Sequence, residues 1–246
     1  MIEIKSFDNQ KLKNIRKLEQ KKYRELLKEF VIFGDDIIKE ARDKGQVKYI
    51  VSCNHEKECD FLVSQQLFKE LDFEKLNVDI LAVCKMLINE DILINKGNIL
   101  ILDGISDPVN SGSIYRSAAA FNYKTVFQTD QSVDVYNPKA IRNSKGAFFY
   151  LDLQITNSLE NLFSILKKAG YLIVGADAHI KNNNEHNVAK YCQQGKIVLV
   201  LGNETNGLSK FSKKNCDILE KIETLNVESL NVNAAAAILM YQFKDF

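Results

Sequence analysis

Prolines are almost absent from this chain: there are two in 246 residues, with only eleven glycines. No GxGxxG opens a helix after the first strand of an alternating unit, and no GxxxxGK[ST] occurs, which disfavours the dinucleotide-fold and P-loop families. The five cysteines, Cys53, Cys59, Cys84, Cys192 and Cys216, are odd in number, scattered and without CxxC spacing. That pattern argues against a disulfide framework or a zinc site and suits buried or incidental thiols. Of the three histidines, His179 and His186 share the polar stretch "HIKNNNEHN", which reads as an exposed loop rather than a metal pair. An excess of one sign of charge is missing as well. The formal net charge is +1, so the whole molecule advertises neither nucleic acid nor membrane. No apolar run approaches the roughly 18 residues that span a bilayer, and "MIEIKSFDNQ" has no signal-peptide core, so a cytoplasmic protein is expected.

What is present begins with 46% hydrophobic residues, enough for a large core in one domain or two. Residues 11–28, "KLKNIRKLEQKKYRELLK", hold eight Lys or Arg against two Glu. Leu12, Ile15, Leu18, Leu26 and Leu27 recur at helical spacing, predicting one or two amphipathic helices with a basic outer face. Such a face is either simply solvated or supplies phosphate contacts, Lys21, Lys22 and Arg24 among them. Helix and strand patterns then alternate to about Met86, giving a small α+β domain; "LINEDILINKGN" suits a connector, with the boundary near residue 95.

From Asn98 the alternation tightens and predicts an α/β domain with a mostly parallel sheet, whose ligands would bind beyond the carboxyl ends of the strands. Three predicted strand ends carry unusual chemistry. In "DGISDPVNSGSIYRSAAAF", Asp103 to Asn110 read as a loop and Gly112 to Phe121 as a helix. Small residues 111–113 would leave helix-start N–H groups open to a ligand, with Asn110 as a possible N-cap and Arg116 one to two turns in. In "LVLGNETNGLSK", Gly202 ends a strand and Asn203 and Glu204 follow in a turn. In "IETLNVESLNVNAAAAILM", Ser229, Asn231 and Asn233 precede a very apolar helix, and N-capping explains only one of them.

Together and in this order, "LDGISDPVNSGSIYRSAAAF", "LVLGNETNGLS" and "ESLNVNAAAAILMY" resemble the three motifs of the SpoU-type (TrmH-type) RNA ribose 2'-O-methyltransferases of the SPOUT superfamily. "IRNSKGAFF" resembles the additional Arg-x-Ser-x-Gly-Ala stretch between the first two motifs, and the basic first part resembles a small substrate-binding domain of the ribosomal-RNA branch. The resemblance implies an RNA substrate-binding domain over 1–95, a methyltransferase domain over 96–246 with a C-terminal trefoil knot, a homodimer, and S-adenosylmethionine as methyl donor. It implies Asn110 and Arg116 as the catalytic pair, with Glu204, Ser229 and Asn231 around them. Leu201, Gly202, Ile222 and Leu230 would line the donor's pocket, and Lys21, Lys22, Arg24 and Arg142 would meet RNA. Ribosomal RNA of the large subunit is the favoured substrate over transfer RNA. The chain departs from the common pattern at Phe33, where the first domain often has a glutamate, and at three places in the methyltransferase motifs. Thr205 would be strained if its turn needed positive φ, "IETLN" runs one residue short, and Asn233 stands where serine is usual. The departures at Thr205 and "IETLN" would favour a catalytically silent RNA-binding relative.

Overall fold

In the computed structural model, residues 1–72, 75–86, 94, 97–180, 193–194 and 196–244 are described. His186, Cys192 and most of the connector at 87–98 lie outside them. The chain divides into two compact units: Met1–Ile88 with Tyr136–Phe149, and Asn89–Val135 with Tyr150–Phe246.

The first unit is built on a mixed sheet in the order β1 (Ile2–Ile4), β4 (Phe61–Val63), β3 (Val47–Ser52), β5 (Ile80–Lys85), β2 (Glu29–Phe33). Its β1–β4–β3 side is parallel, and β5 runs antiparallel to β3 and β2. Helices α1 (Gln10–Lys17), α2 (Lys21–Leu27), α3 (Asp35–Asp43) and α4 (Gln65–Leu71) belong to this unit. The Asn9 side chain caps α1 by accepting from the Lys11 N–H. Leu12, Ile15 and Leu18 are fully buried, each contributing about 1.5–3 kcal/mol of apolar burial. Leu26, read above as part of the same apolar stripe, is 73% exposed, because α2 starts a new helix whose register differs from that of α1.

Arg24 does not join the basic outer face. It is 3% exposed, and its Nη1 donates to the carbonyls of Leu18 (2.8 Å) and Glu19 (2.7 Å) just after the end of α1. The guanidinium thus satisfies backbone acceptors that the turn leaves open. Arg24→Ala should lower unfolding free energy by about 1.5–3 kcal/mol, since charged hydrogen bonds to buried carbonyls are lost. Urea unfolding followed by circular dichroism would read this as a lower midpoint at unchanged slope.

Residues 136–149 complete the first unit. Asn137 caps α6 (Pro138–Asn143), whose first residue is proline, and α6 packs on β2. Phe30 of β2 meets the rings of Tyr136 at 4.9 Å and Phe148 at 5.8 Å. The run "AFFY" forms a 3-10 turn over Ala147–Tyr150 that sinks Phe148 and Phe149 into this cluster.

The second unit is an all-parallel six-stranded sheet in the order β11 (Ile218–Glu220), β9 (Leu172–Ala176), β10 (Ile197–Gly202), β6 (Ile99–Asp103), β7 (Thr125–Thr129), β8 (Asp152–Thr156). Every residue of β6, β7 and β10 is buried, as continuous apolar strands require when helices cover both faces. Helices α5 (Pro108–Ala120) and α9 (Val232–Gln242) pack on one another, as do α7 (Leu159–Lys168) and α8 (Lys210–Asn215). Buried Asn98 ties distant segments, its Nδ2 donating to the Phe243 carbonyl (2.7 Å) and its Oδ1 accepting from the Ile197 N–H (3.0 Å). Strand order reverses beside β6, which has β7 on one side and β10 on the other. A doubly wound sheet opens its ligand crevice there, past the carboxyl ends.

Candidate active site

The loop after β6 turns at Gly104, whose φ of +82° suits glycine. Helix α5 then starts at Pro108, four residues earlier than expected, because the Asp107 side chain accepts from the Val109 N–H (2.7 Å) and proline is preorganised at the first helical position. Asn110 is therefore inside the first turn and is not the cap. Ser111 and Gly112 are buried in the helix body, and the Ser111 N–H is spent on the Asp107 carbonyl (3.0 Å). The open set of N–H groups expected at 111–113 does not form.

Asn110 is instead held by two side chains. Its Nδ2 donates to Glu204 Oε1 (2.8 Å), and its Oδ1 accepts from Asn233 Nδ2 (2.7 Å). Glu204 also accepts long hydrogen bonds from the backbone N–H groups of Asp107 (3.4 Å) and Ser106 (3.5 Å). One carboxylate thus joins the loop after β10 to the start of α5, and charge-assisted bonds are the strong ones available for the task.

The loop after β10 is closed on itself. Asn203 and Gly207 exchange both backbone hydrogen bonds at 2.9 Å, while Asn203 Oδ1 accepts from the N–H groups of Thr205 (3.0 Å) and Asn206 (3.1 Å). Gly207, at φ +68°, takes the one left-handed position in the turn. Thr205 does not have positive φ, so the strain anticipated for it is absent. Asn203 Nδ2 reaches the Gly104 carbonyl (2.9 Å), binding this loop to the first one. Gly202 lies so close to the returning chain that an added Cβ would sit 2.2 Å from the Gly207 carbonyl carbon.

A cavity of about 300 Å³ lies at the ends of β9, β10 and β11. Leu201, Gly202, Ile222 and Leu230 all line it, as do Glu204 and Ser229. Asn231 does not line it; its side chain caps α9 by accepting from the Asn233 N–H (2.9 Å). Arg116 is exposed on α5 and makes no hydrogen bond or ion pair to the described residues of its own chain. Lys21 and Lys22 are exposed on α2, Lys21 pairing with Glu25 at 3.8 Å and Lys22 lying 4.8 Å from the Tyr23 ring centre. Arg142 is half-buried on α6 in the first unit.

Carboxylates at the rim carry no signal in the sequence. Asp177, Glu220 and Glu228 line the cavity, along with His179. Burial pushes the Glu220 carboxyl up. Burial opposes charge on Asp177 too, but Lys213 at 2.9 Å and the His179 N–H outweigh it and hold the carboxyl below its usual range. "LIVGADAH" has no recognisable spacing, and only the pairing of β9 with β11 brings Asp177 beside Glu220. An apolar wall of Leu201, Ile222 and Leu230 with carboxylates around it fits an adenosine joined to a cationic sulfonium and ammonium, and the volume lies at the lower end of the small-molecule range.

Comparison with known proteins places the chain in a family. The SpoU rRNA methylase family matches residues 97–241, and the MRM3-like substrate binding domain matches residues 9–89. The chain is 28% identical over 255 residues to the 23S rRNA (guanosine(2553)-2'-O)-methyltransferase RlmP of Bacillus subtilis, covering 99% of this chain and 100% of that one. It is 34% identical over 146 residues to the 23S rRNA (guanosine-2'-O-)-methyltransferase RlmB of Xylella fastidiosa, an alignment covering 58% of this chain and 57% of the relative. A crystal structure of an RNA 2'-O ribose methyltransferase superposes with a TM-score of 0.79 at 25% identity, covering 98% of each chain. The fold is also that of the SpoU methyltransferase AviRb from Streptomyces viridochromogenes, solved in complex with AdoMet, with a TM-score of 0.81 at 24% identity over 96% of this chain and 97% of that one. The chain belongs to the SpoU rRNA methylase family, the RNA 2'-O-ribose methyltransferases.

Proposed function

We propose that this enzyme methylates a ribose 2'-hydroxyl of large-subunit ribosomal RNA in the cytoplasm, as a homodimer whose methyltransferase domain carries the family's trefoil knot. The observation that carries the reading is the junction of the cavity with the Glu204–Asn110 bond, which places a polar relay beside a donor-sized pocket. In this reading residues 1–95 grip the RNA, with Lys21 and Lys22 on the exposed face of α2 supplying phosphate contacts.

Bound in the cavity, S-adenosylmethionine supplies an electrophilic methyl carbon whose bond to sulfur breaks as the bond to the ribose O2' forms. The protein has to align that oxygen and accommodate the proton it loses, and alignment alone is worth several kcal/mol. Arg116 is assigned to orienting the 2'-hydroxyl and its phosphate. A guanidinium keeps its proton near neutrality and is a poor base there. Leu201, Gly202, Ile222 and Leu230 would hold the donor, Ser229 would pin its loop, and Glu204 and Asn231 would keep Asn110 and α9 in register. Glu204→Gln removes the charge that serves several donors, so kcat should fall by about tenfold or more while the protein stays folded. Steady-state kinetics beside a thermal melt would check this.

The test is transfer of tritiated methyl from S-adenosylmethionine to total RNA lacking its native modifications, followed by separation of ribosomal and transfer pools. Label in a large-subunit band, with one alkali-resistant bond, is the expected result. Label confined to transfer RNA would replace the substrate, and RNA binding without label in any pool would make the chain a silent relative. The unstrained Thr205 supports the active reading.

A further inference from the structure

Asn233 has no role in the reading above, yet it makes the shortest contact to Asn110. The direction of that contact is dictated from the other side. A carboxylate only accepts, so Glu204 draws Asn110 Nδ2 toward itself at 2.8 Å. Asn110 Oδ1 must then face Asn233, and Asn233 must answer with its Nδ2, at 2.7 Å. This leaves Asn233 Oδ1 buried and without a hydrogen-bond partner among the described residues. Buried acceptors are rarely left so, and a serine donating the same bond from its hydroxyl would strand no amide oxygen. The orphaned oxygen marks the donated bond as the contact that matters.

We propose that Asn233 is a positioning residue for methyl transfer: by donating to Asn110 Oδ1 it locks the Asn110 amide so that its second Nδ2 hydrogen, and never its oxygen, is offered to the acceptor ribose. As O2' loses its proton negative charge develops there, and a preset donor stabilises it where a preset acceptor would repel it. The proposal rests on the methyltransferase reading and adds a residue that acts through Asn110. The charged groups on elements packed against or flanking Asn233 are Asp107 and Arg116 at or on α5, Glu204 after β10, and Glu228 before α9.

Asn233→Asp separates this role from simple packing. Ionised, the new carboxyl cannot donate to Asn110 and competes with Glu204 for its Nδ2; protonated, its O–H donates as the native amide does. Single-turnover rates on ribosomal RNA, taken relative to the native enzyme at each pH, should for Asn233→Asp rise about tenfold or more between roughly pH 8.5 and 5.5, since a carboxyl beside Glu204 titrates above its ordinary value. The relative rate of Asn233→Ser should be flat with pH and higher than that of Asn233→Asp at the alkaline end. Calorimetric affinity for S-adenosylmethionine should stay within about twofold in both variants, because only the acceptor side is disturbed. A relative rate for Asn233→Asp that does not change with pH, or loss of S-adenosylmethionine binding in both variants, overturns the proposal. A native enzyme that binds the donor but methylates no RNA overturns the methyltransferase reading itself.

Discussion

Gly202→Ala should abolish S-adenosylmethionine binding, with at least a hundredfold rise in Kd by calorimetry. The methyl would fall 2.2 Å from both the Gly207 carbonyl carbon and the Leu208 nitrogen, and 2.5 Å from the Gly207 oxygen. All three are backbone atoms, so no rotamer change relieves the overlap; the returning strand of the loop has to move by more than an ångström. Overpacking of this kind costs about 1–3 kcal/mol where side chains can adapt, and more is expected here. The same movement breaks the paired hydrogen bonds between Asn203 and Gly207 and displaces Glu204, so pocket and polar relay fail together. Gly207→Ala is the control. Nothing lies within 4 Å of its added methyl, and only the φ of +68° penalises it, by about 1–2 kcal/mol. It should bind the donor more weakly than the native protein but far better than Gly202→Ala. Equal binding by Gly202→Ala and the native protein would mean that the loop is not held as described.

Arg116→Ala should lower single-turnover methylation by about a thousandfold, in the range of one well-placed transition-state donor, and leave S-adenosylmethionine affinity within about twofold. The split follows from where the side chain lies. Arg116 is exposed on α5, does not line the cavity, and makes no hydrogen bond or ion pair to the described residues of its own chain, so its removal leaves no buried group unpaired. Arg116→Lys keeps the charge but loses the planar fork that can grip a hydroxyl and a phosphate at once, and should recover less than a tenth of the native rate. Unchanged turnover in the alanine variant would remove Arg116 from the mechanism. A matching loss of donor binding would place it in the pocket instead.

Elements with a simple repeat are legible in the amino-acid order alone. The apolar runs "ILILD" and "IVLVLG" are buried on both faces and could only be parallel strands at the centre of a sheet, and they are β6 and β10. The donor-pocket set of Leu201, Gly202, Ile222 and Leu230, assigned through resemblance to known motifs, lines one cavity. Helix starts are less legible. Asp107 and Asn110 are both good caps three residues apart, and nothing local says that the aspartate wins. Arg24 reads as one more exposed cation because a side chain's reach back to the carbonyls of Leu18 and Glu19 is invisible in a charge count.

The sequence by itself determined the parallel-sheet character of the second part and the family, because periodicity and motif order are local or linear properties; that residues 136–149 belong with the first unit was decided by tertiary packing. The tertiary structure alone decided which polar residues act together. Asn110, Glu204 and Asn233 are up to 123 positions apart, and each has an innocent reading as a cap, a turn residue or a surface amide. They meet because parallel pairing aligns the carboxyl ends of β6 and β10 while α9 packs on α5. Hydrogen bonds act over about 3 Å, a distance that spacing along a chain does not encode.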